Sequence, residues 1–210
     1  MPEVARETRF MGSVTAMSMH EMQNILAIIR ESAGLLGDIM KVNARVDFKH
    51  KPTLERTLGH ISSQVDRGKG LLEATSRLAH SADADMLESC DLGVHARTLA
   101  LLSERMVRLK GASVEFTPAS RALPVAVGAI WVLMAGFRAV QWAVGEGAKD
   151  CVIRLAIDEG PEFHVLNIAP PSGTTPDLSG LSDLNALLEQ GRMEWDGARL
   201  RIFFPVSRQD

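Results

Sequence analysis

The sequence is poor in the residues that mark several common protein classes. Tyrosine is absent, aromatic residues make up 5% of the 210 residues, and there are only two cysteines, Cys90 and Cys151. Their spacing matches no metal or redox motif, which indicates a reducing compartment. No signal peptide opens the chain and no apolar run approaches the ~18 residues of a membrane span. We therefore expect a soluble, cytoplasmic protein.

The charge pattern argues against nucleic acid and membrane surfaces as partners. Formal net charge is -3, and lysine and arginine are scattered along the chain. A basic patch, the electrostatic footprint of a nucleic-acid-binding protein, is therefore missing. Hydrophobic residues make up 46% of the chain, which is enough for a real core in one large or two small domains.

The sequence does contain a pentapeptide with a histidine, a carboxylate and an amide close together, His20-Glu21-Met22-Gln23-Asn24, inside a long helical stretch. On a helix His20 and Asn24 share a face, because residues four apart lie one turn above each other. Glu21 is rotated by about 100° and can still contact the imidazole edge. The apolar residues Met22, Ile25, Ile29 and Leu36 lie roughly opposite His20, so the stripe is expected to face inward and His20 outward. A histidine, a carboxylate and an amide placed in this way can form a phosphoryl-transfer site, whereas a lone outward histidine would be an ordinary surface residue.

The same pentapeptide is similar to a zinc-binding motif, but its last residue does not match that motif. The zinc-protease motif needs a second histidine where this chain has Asn24, and asparagine is a poor zinc ligand. No His, Cys or carboxylate cluster elsewhere supplies a third ligand. We predict no metal site.

Helical periodicity predicts an antiparallel hairpin in the first half of the chain. One helix is expected from about Phe10 to Val42, and a second begins near Pro52 after a break. The second helix carries a heptad seam formed by Leu54, Leu58, Ile61, Val65, Leu72 and Ala79. Two helices cannot bury two wide stripes alone, so a second copy is expected to complete a four-helix bundle through residues of about 10 to 82. The alternative is that the hairpin packs on the C-terminal half of its own chain.

The second half has the pattern of a small α/β layer. Helices are expected at Asp91–Leu109, Val125–Val144 and Leu181–Gln190, and strands at Ser113–Phe116, Val152–Ile157, Phe163–Ile168, Arg192–Trp195 and Leu200–Phe204. The predicted class is α+β: a long helical hairpin that forms a dimeric four-helix bundle, followed by a small α/β sandwich. The domains are predicted at 1–88 and 89–210.

Taken together, these features resemble the transmitter core of a sensor histidine kinase over nearly the whole chain. His20-Glu21-x-x-Asn24 is similar to the HExx(N/T) phosphoacceptor motif of that family, which lies on the first helix of a dimeric hairpin. The order of elements after residue 89 resembles the family's ATP-binding domain. The ending Gly191 to Gly197, followed by Leu200 to Pro205, is similar to that domain's last two strands.

The chain departs from the family where the family binds nucleotide. Met134 and Arg138 stand where the resemblance implies asparagines that hold magnesium and phosphate. The stretch Ile168-Ala169-Pro170-Pro171-Ser172-Gly173 lacks the aspartate that would read adenine, and the lid is reduced to Ser172 through Leu184 without a GxG. Without Mg²⁺ ligands the triphosphate charge cannot be neutralised for transfer. The resemblance therefore shifts to the dimeric histidine phosphotransferases of bacterial phosphorelays, a phosphorylatable bundle beside a degenerate ATP-binding domain, or pseudokinase.

That resemblance implies a function in two-component signalling. His20 would accept phosphate from the aspartyl phosphate of one response regulator receiver domain and pass it to another, with Glu21 fixing the imidazole tautomer and Asn24 orienting a phosphoryl oxygen or water. The chain itself would need no cofactor, because the receiver supplies Mg²⁺. The expected docking surface on the His20 face is formed by Ala27, Ile28, Glu31 and Leu35. The alternative for Ile28 and Leu35 is burial inside the bundle.

Two other functions remain open on the sequence alone. One is a catalytically silent dimeric regulator that binds a histidine kinase or response regulator and keeps His20 only as a contact. The other is an active kinase with an unusual nucleotide site. The remaining histidines, His50, His60, His80, His95 and His164, form no constellation and are interpreted as surface or loop residues.

Overall fold

The computed structural model describes residues 2–46, 48–81, 89–144, 150–170 and 191–207. Two long helices, α1 (Pro2–Val42) and α2 (Lys51–His80), form the predicted hairpin. Pro52 lies in the first turn of α2, where its missing N–H leaves no bond unmade. Within the described residues, none of the helices has the length and apolar character to cross a membrane.

Two contacts fix the register of the hairpin. Leu26 of α1 lies against Gly68 of α2, where a Cβ would come within 3.1 Å of the leucine side chain. One turn further along α1, Arg30 makes an ion pair of 3.1 Å with Asp66. Because the partners on α2 run backward as α1 runs forward, the helices are antiparallel, as predicted.

The heptad seam of α2 is packed inside the chain. Leu58, Val65 and Leu72 are buried, whereas Leu54 at the start of the seam is exposed. The seam faces α1 of the same chain, as the contact between Leu26 and Gly68 indicates. Much of the seam is therefore covered within the chain, and the expected dimer through residues of about 10 to 82 stays a prediction.

The predicted apolar stripe of α1 does not face α2. Met22, Ile25, Ile29 and Leu36 were predicted to point into a bundle that a second copy completes, and in the single chain they are 42–50% exposed. The neighbouring stripe through Leu26 and Ala33 packs on α2 instead, with Ala33 buried. Helix α1 thus has two apolar stripes side by side, and one of them lacks a partner within the described residues.

The second half is an α/β layer built from two helices and a mixed sheet. The helices are α3 (Leu92–Leu109) and α4 (Ala129–Val144), and the strands are Cys90–Asp91 (β1), Ala112–Phe116 (β2), Pro124–Val125 (β3), Cys151–Asp158 (β4), Phe163–Ala169 (β5), Arg192–Trp195 (β6) and Leu200–Pro205 (β7). The large sheet has the order β2-β4-β5-β7-β6. Strands β2 and β4 are parallel, because α4 lies between them in the chain as the crossover, and the other pairs are antiparallel.

The core lies between the two helices and one face of the sheet. Leu99 of α3, Val140 of α4, Leu155 of β4, Ile168 of β5 and Ile202 of β7 are all at most 1% exposed. Asp91 caps α3 by accepting a hydrogen bond of 3.1 Å from the Val94 backbone N–H. These contacts place α4 against the sheet with one face turned outward.

Most predicted elements of the second half are confirmed within a residue or two, with three exceptions. Helix α4 begins at Ala129 and not at Val125, because Val125 belongs to β3, which pairs with β1. This two-stranded sheet was not predicted. The expected helix Leu181–Gln190 lies outside the described residues, as do 82–88, so the boundary between 88 and 89 stays a prediction.

Two histidines interpreted as surface or loop residues are core residues. His95 on α3 is 3% exposed and His164 on β5 is 5% exposed. Burial lowers the pKa of both, and for His95 the nearby Asp91 opposes this shift while Arg77 adds to it. His95 lies on the inward face of α3 with Leu92 and Leu99, and His164 alternates with Leu166 and Ile168 on β5. The helical and strand periods therefore contained this information, which the sequence analysis did not use.

An ion pair joins the hairpin to the α/β layer. The Arg67 guanidinium of α2 donates to the Glu104 carboxylate of α3 at 2.9 Å, and Arg108 lies 3.9 Å from the same carboxylate. Helix α2 therefore packs on α1 along one side and contacts α3 along another. Because the side chains of this pair are about two-fifths exposed, we expect the pair to contribute little to stability. Its main role is to position α2 on α3.

The close packing of α3 on α4 gives a test of the fold. A Cβ added at Gly136 would lie 2.5 Å from the Leu99 side chain, which is 1% exposed and has no room to move. We expect Gly136→Ala to lower the free energy of unfolding by about 1–3 kcal/mol. Urea unfolding followed by fluorescence of the Trp142–Trp195 pair, whose ring centroids are 5.4 Å apart, measures this effect in the α/β layer.

The matched control is Gly59→Ala on α2, where a Cβ meets nothing within 4 Å. Alanine at this exposed helical position should stabilise α2 by about 0.5–1 kcal/mol or leave stability unchanged. If Gly136→Ala is tolerated as well as Gly59→Ala, the packing of α3 on α4 is not as described.

Candidate functional site

The pentapeptide lies on α1 with its three chemical groups on the outside. His20, Glu21 and Asn24 are all exposed. The helix continues for about five turns beyond Asn24, so its backbone holds these three residues in fixed relative positions. Their common accessibility is what a phosphoryl group arriving from solution or from a partner protein would require.

A groove opens between α1 and α2 beside the pentapeptide. It encloses about 310 Å³ and is bordered on α1 by Gln23, Asn24, Leu26, Ala27 and Arg30, and on α2 by Val65, Lys69 and Glu73. Asn24 belongs to both the motif and the groove. The amide of Asn24 and the ammonium of Lys69 are therefore donors on the same concave surface. Asn24 lies one helical turn from His20 on α1.

The charges along this groove are only partly compensated. Arg30 is paired with Asp66 at 3.1 Å. Lys69 makes no ion pair with any described residue, although Glu73 follows it one turn later on α2. Lys69 was missed in the sequence, where a lysine on an exposed helix face has no distinguishing signal. Only the pairing of the two helices brings it beside the motif.

The four residues expected to receive a partner lie on the accessible surface of α1. Ala27 and Glu31 are exposed, and Ile28 and Leu35 are each 63% exposed. In the single chain Ile28 and Leu35 are therefore not covered by the hairpin. Exposed side chains of this size at helical spacing are typical of a surface that another protein covers.

The residues where the family would bind nucleotide have a different character here. Met134 on the outer face of α4 is 41% exposed, and Arg138 one turn later is also exposed. At the end of β5, Ile168 is buried and Ala169 and Pro170 are half-buried. Pro171, Ser172, Gly173 and the shortened lid lie outside the described residues. Positions 134 and 138 of α4 and the described end of β5 therefore offer no carboxylate or amide to a nucleotide.

Neither metal ligands nor a reactive thiol stand out near the motif. Among the residues that the structure describes, no three His, Cys, Asp or Glu side chains come together as a metal site. Neither Cys90 nor Cys151 is in a disulfide, and burial together with the nearby Asp91 raises the pKa of Cys90 to about 12. Cys90 therefore stays a protonated thiol and is not a nucleophile at neutral pH.

Comparison with known proteins gives a likeness in three dimensions only. No family model and no curated protein matches the sequence. Among solved structures, the chain is similar to the Acinetobacter baumannii histidine kinase AdeS, with 14% identity and a TM-score of 0.44 over 91% of this chain and 98% of that one. It is similar to the catalytic domain of histidine kinase ThkA, with 15% identity and a TM-score of 0.44 over 56% of this chain and 92% of that one.

A further similar structure is histidine kinase ThkA in complex with the response regulator protein TrrA. Identity is 16% and the TM-score is 0.43, over 99% of this chain and 66% of that one. All these structures are of histidine kinases, and their TM-scores with this chain are below 0.5.

Proposed function

We propose that this chain is a histidine phosphotransferase of a two-component phosphorelay, with His20 as the phosphate carrier. The observation that carries the proposal is the joint exposure of His20, Glu21 and Asn24 on α1, beside a groove that Asn24 and Lys69 border. A nucleophile, a carboxylate and two hydrogen-bond donors on one accessible surface suit transfer of a phosphoryl group.

The proposed reaction consists of two displacements at phosphorus. A ring nitrogen of neutral His20 attacks the phosphoryl group of a receiver's aspartyl phosphate, so that an N–P bond forms and the acyl phosphate P–O bond breaks, which releases the receiver's carboxylate. The second receiver's aspartate reverses these changes. Glu21 accepts a hydrogen bond from the other ring nitrogen, which fixes the tautomer and stabilises the cation formed during attack.

The donors on the groove would act on the transferred group. Asn24 can orient a phosphoryl oxygen or a water molecule through its amide N–H. Lys69 can offset part of the negative charge that reaches His20, since no described residue neutralises its ammonium. The receiver supplies Mg²⁺, so we propose that the chain needs no cofactor.

The partners in this proposal are response regulator receiver domains and a second copy of the chain. A receiver would cover Ala27, Ile28, Glu31 and Leu35, because these exposed side chains continue from the His20 face along α1. The second copy would cover the stripe of Met22, Ile25, Ile29 and Leu36, which lies on another side of the same helix. Both surfaces can then be occupied at once.

The chain is not expected to bind ATP, which would distinguish it from an active kinase. Met134 and Arg138 on α4 are poor Mg²⁺ ligands, and the described residues at the end of β5, Ala169 and Pro170, have no carboxylate. Calorimetric titration with millimolar Mg-ATP should therefore give no saturable heat. A dissociation constant in the low micromolar range would overturn this expectation and favour a kinase with an unusual nucleotide site.

A silent regulator is the second candidate, and phosphate uptake separates it from a phosphotransferase. The test is incubation of the chain with response regulators carrying a ³²P-labelled aspartyl phosphate, followed by detection of acid-labile, base-stable label on the chain. A phosphotransferase acquires this label and returns it to a second, unlabelled receiver. A chain that binds receivers yet stays unlabelled would be a regulator that uses His20 only as a contact.

A further inference from the structure

A cavity of about 570 Å³ opens where α2, α3 and α4 meet. Its apolar walls are Leu78 from α2, Leu99 and Leu102 from α3, and Leu133, Met134 and Phe137 from α4. This volume is within the range of about 300–1,000 Å³ that small-molecule sites occupy, and such sites favour junctions between helices. The outer face of α4, where Met134 and Arg138 stand in place of the asparagines that the resemblance implies, is thus one wall of an apolar cavity.

Two polar side chains complete the lining, and both come from the same turn of α4. The Arg138 guanidinium donates to the Gln141 side-chain carbonyl at 3.4 Å. Among the described residues of the lining Arg138 is the one that carries a charge, and it makes no ion pair with any described residue. An unpaired cation at the mouth of an apolar cavity can pair with the charged end of an anion whose apolar part the cavity holds.

We propose that this cavity binds a small amphipathic monoanion, whose apolar body packs among the leucines and whose carboxylate is held by Arg138. The guanidinium fork can donate two parallel hydrogen bonds to a carboxylate, which favours this headgroup over a neutral one. The part of the lining that the structure describes contains no carboxylate that would repel an anion or attract a cation. A nucleotide is disfavoured, because its base and ribose would leave polar groups unpaired against Leu133, Met134 and Phe137.

Because of the position of the cavity, a bound ligand would contact both the hairpin and the α/β layer. Leu78 belongs to the hairpin that carries His20, whereas Met134 and Arg138 belong to the α/β layer. A ligand that contacts both would stabilise their association in proportion to its occupancy. This inference does not depend on phosphate transfer and would hold for a silent regulator as well.

Decanoate, decanol and decyltrimethylammonium test the proposal, since they share one apolar chain and differ in headgroup charge. Each is titrated into the full chain below its critical micelle concentration and followed by calorimetry. The fluorescence of Trp131, which precedes Met134 by one turn on α4 and is 36% exposed, is a second readout. We expect saturable binding of decanoate, binding of decanol weaker by at least about tenfold, and no saturable binding of the cation.

Variants of Arg138 assign the headgroup contact. Arg138→Gln should weaken decanoate to the level of decanol while leaving decanol unchanged, and Arg138→Lys should retain most of the preference. Arg56→Gln, an equal change of charge at an exposed position near the other end of α2, is the matched control and should alter neither ligand. Since Arg138 is exposed, circular dichroism should report an unchanged fold for all three variants.

Three outcomes would overturn the proposal. They are the absence of saturable decanoate binding, equal binding of decanoate and decanol by the unaltered chain, and an undiminished decanoate affinity in Arg138→Gln. Met134→Glu is an independent check, because it places a carboxylate in the cavity wall. It should weaken decanoate more than decanol, and an equal loss of both would contradict the assigned charge preference.

Discussion

Replacing His20 by alanine is expected to abolish the acid-labile label that a phosphorylated receiver delivers. Because His20 is exposed, its removal should leave helix content and oligomeric state unchanged, so the loss would report chemistry and not folding. The measurement is the rate and extent of ³²P uptake, with circular dichroism and light scattering on the same samples. Retained uptake in His20→Ala would place the acceptor at another residue.

The neighbouring side chains should have smaller and separable effects. Glu21→Ala is expected to slow transfer by roughly 10²-fold, if the carboxylate fixes the tautomer and supports the cationic imidazole. The matched control is Glu31→Ala, which removes an equally exposed carboxylate from the same helix about three turns away. Glu31→Ala can weaken receiver affinity, whereas the transfer rate at saturating receiver should stay unchanged.

Asn24→Ala should affect hydrolysis of the phosphohistidine more than its transfer to a receiver. In the complex the receiver orders the phosphoryl oxygens itself, whereas in the free chain the Asn24 amide is one of the few groups that can orient a water. Native transfer rates in both Glu21→Ala and Asn24→Ala would reduce the motif to a lone histidine. The proposed mechanism would then fail while the fold stood.

The fold could be predicted largely from sequence, because its signals are local. Periodicities of 3.6 and 2 locate helices and strands one at a time, and Gly197 with its positive φ ends β6 at the predicted Asp196-Gly197 turn. The pairing of β1 with β3 joins residues more than thirty positions apart through two residues each, and such short pairings have no periodic signal. The start of α4 was misplaced for the same reason.

The candidate site could likewise be predicted only in part from the sequence. The offsets between His20, Glu21 and Asn24 are helical and could be read directly. The contribution of Lys69 depends on the antiparallel register of α1 and α2, which only the contacts of Leu26 and Arg30 reveal. Equally, Met134 and Arg138 could be identified as substitutions, but the cavity that they border needs α2 and α3 in place.

The two apolar stripes of α1 have different surroundings in the structure, and this difference determines the surface through which a dimer would form. Both stripes recur every three or four residues, and periodicity does not say which one a short connection brings against α2. The structure places Leu26 and Ala33 there and leaves Ile25 and Ile29 exposed at 49% and 42%. A second copy would therefore pack on the stripe formed by Met22, Ile25, Ile29 and Leu36.

The double substitution Ile25→Asp with Ile29→Asp is accordingly expected to convert a dimer into a monomer. In the four-helix bundle each copy would bury two unpaired carboxylates, at a cost of several kcal/mol, whereas in the single chain both remain in water. Light scattering should report twice the chain mass of 22.9 kDa for the unaltered protein and the single mass for the variant. Ala27→Asp, on the His20 side of the same helix, is the matched control and should leave the dimer intact.

A buried position of the hairpin distinguishes loss of association from loss of folding. Leu58 is 9% exposed within the chain, so Leu58→Asp should reduce helical circular dichroism at every protein concentration through loss of the hairpin. The Ile25 and Ile29 variant should keep most of its helix content at high concentration, because the contacts of Leu26 with Gly68 and of Arg30 with Asp66 remain. If the unaltered chain scatters as a monomer at micromolar concentration, or if the double variant stays dimeric, this stripe is not the dimer surface. A partner of another kind must then cover it, since an apolar stripe of this length is a poor surface to leave in water.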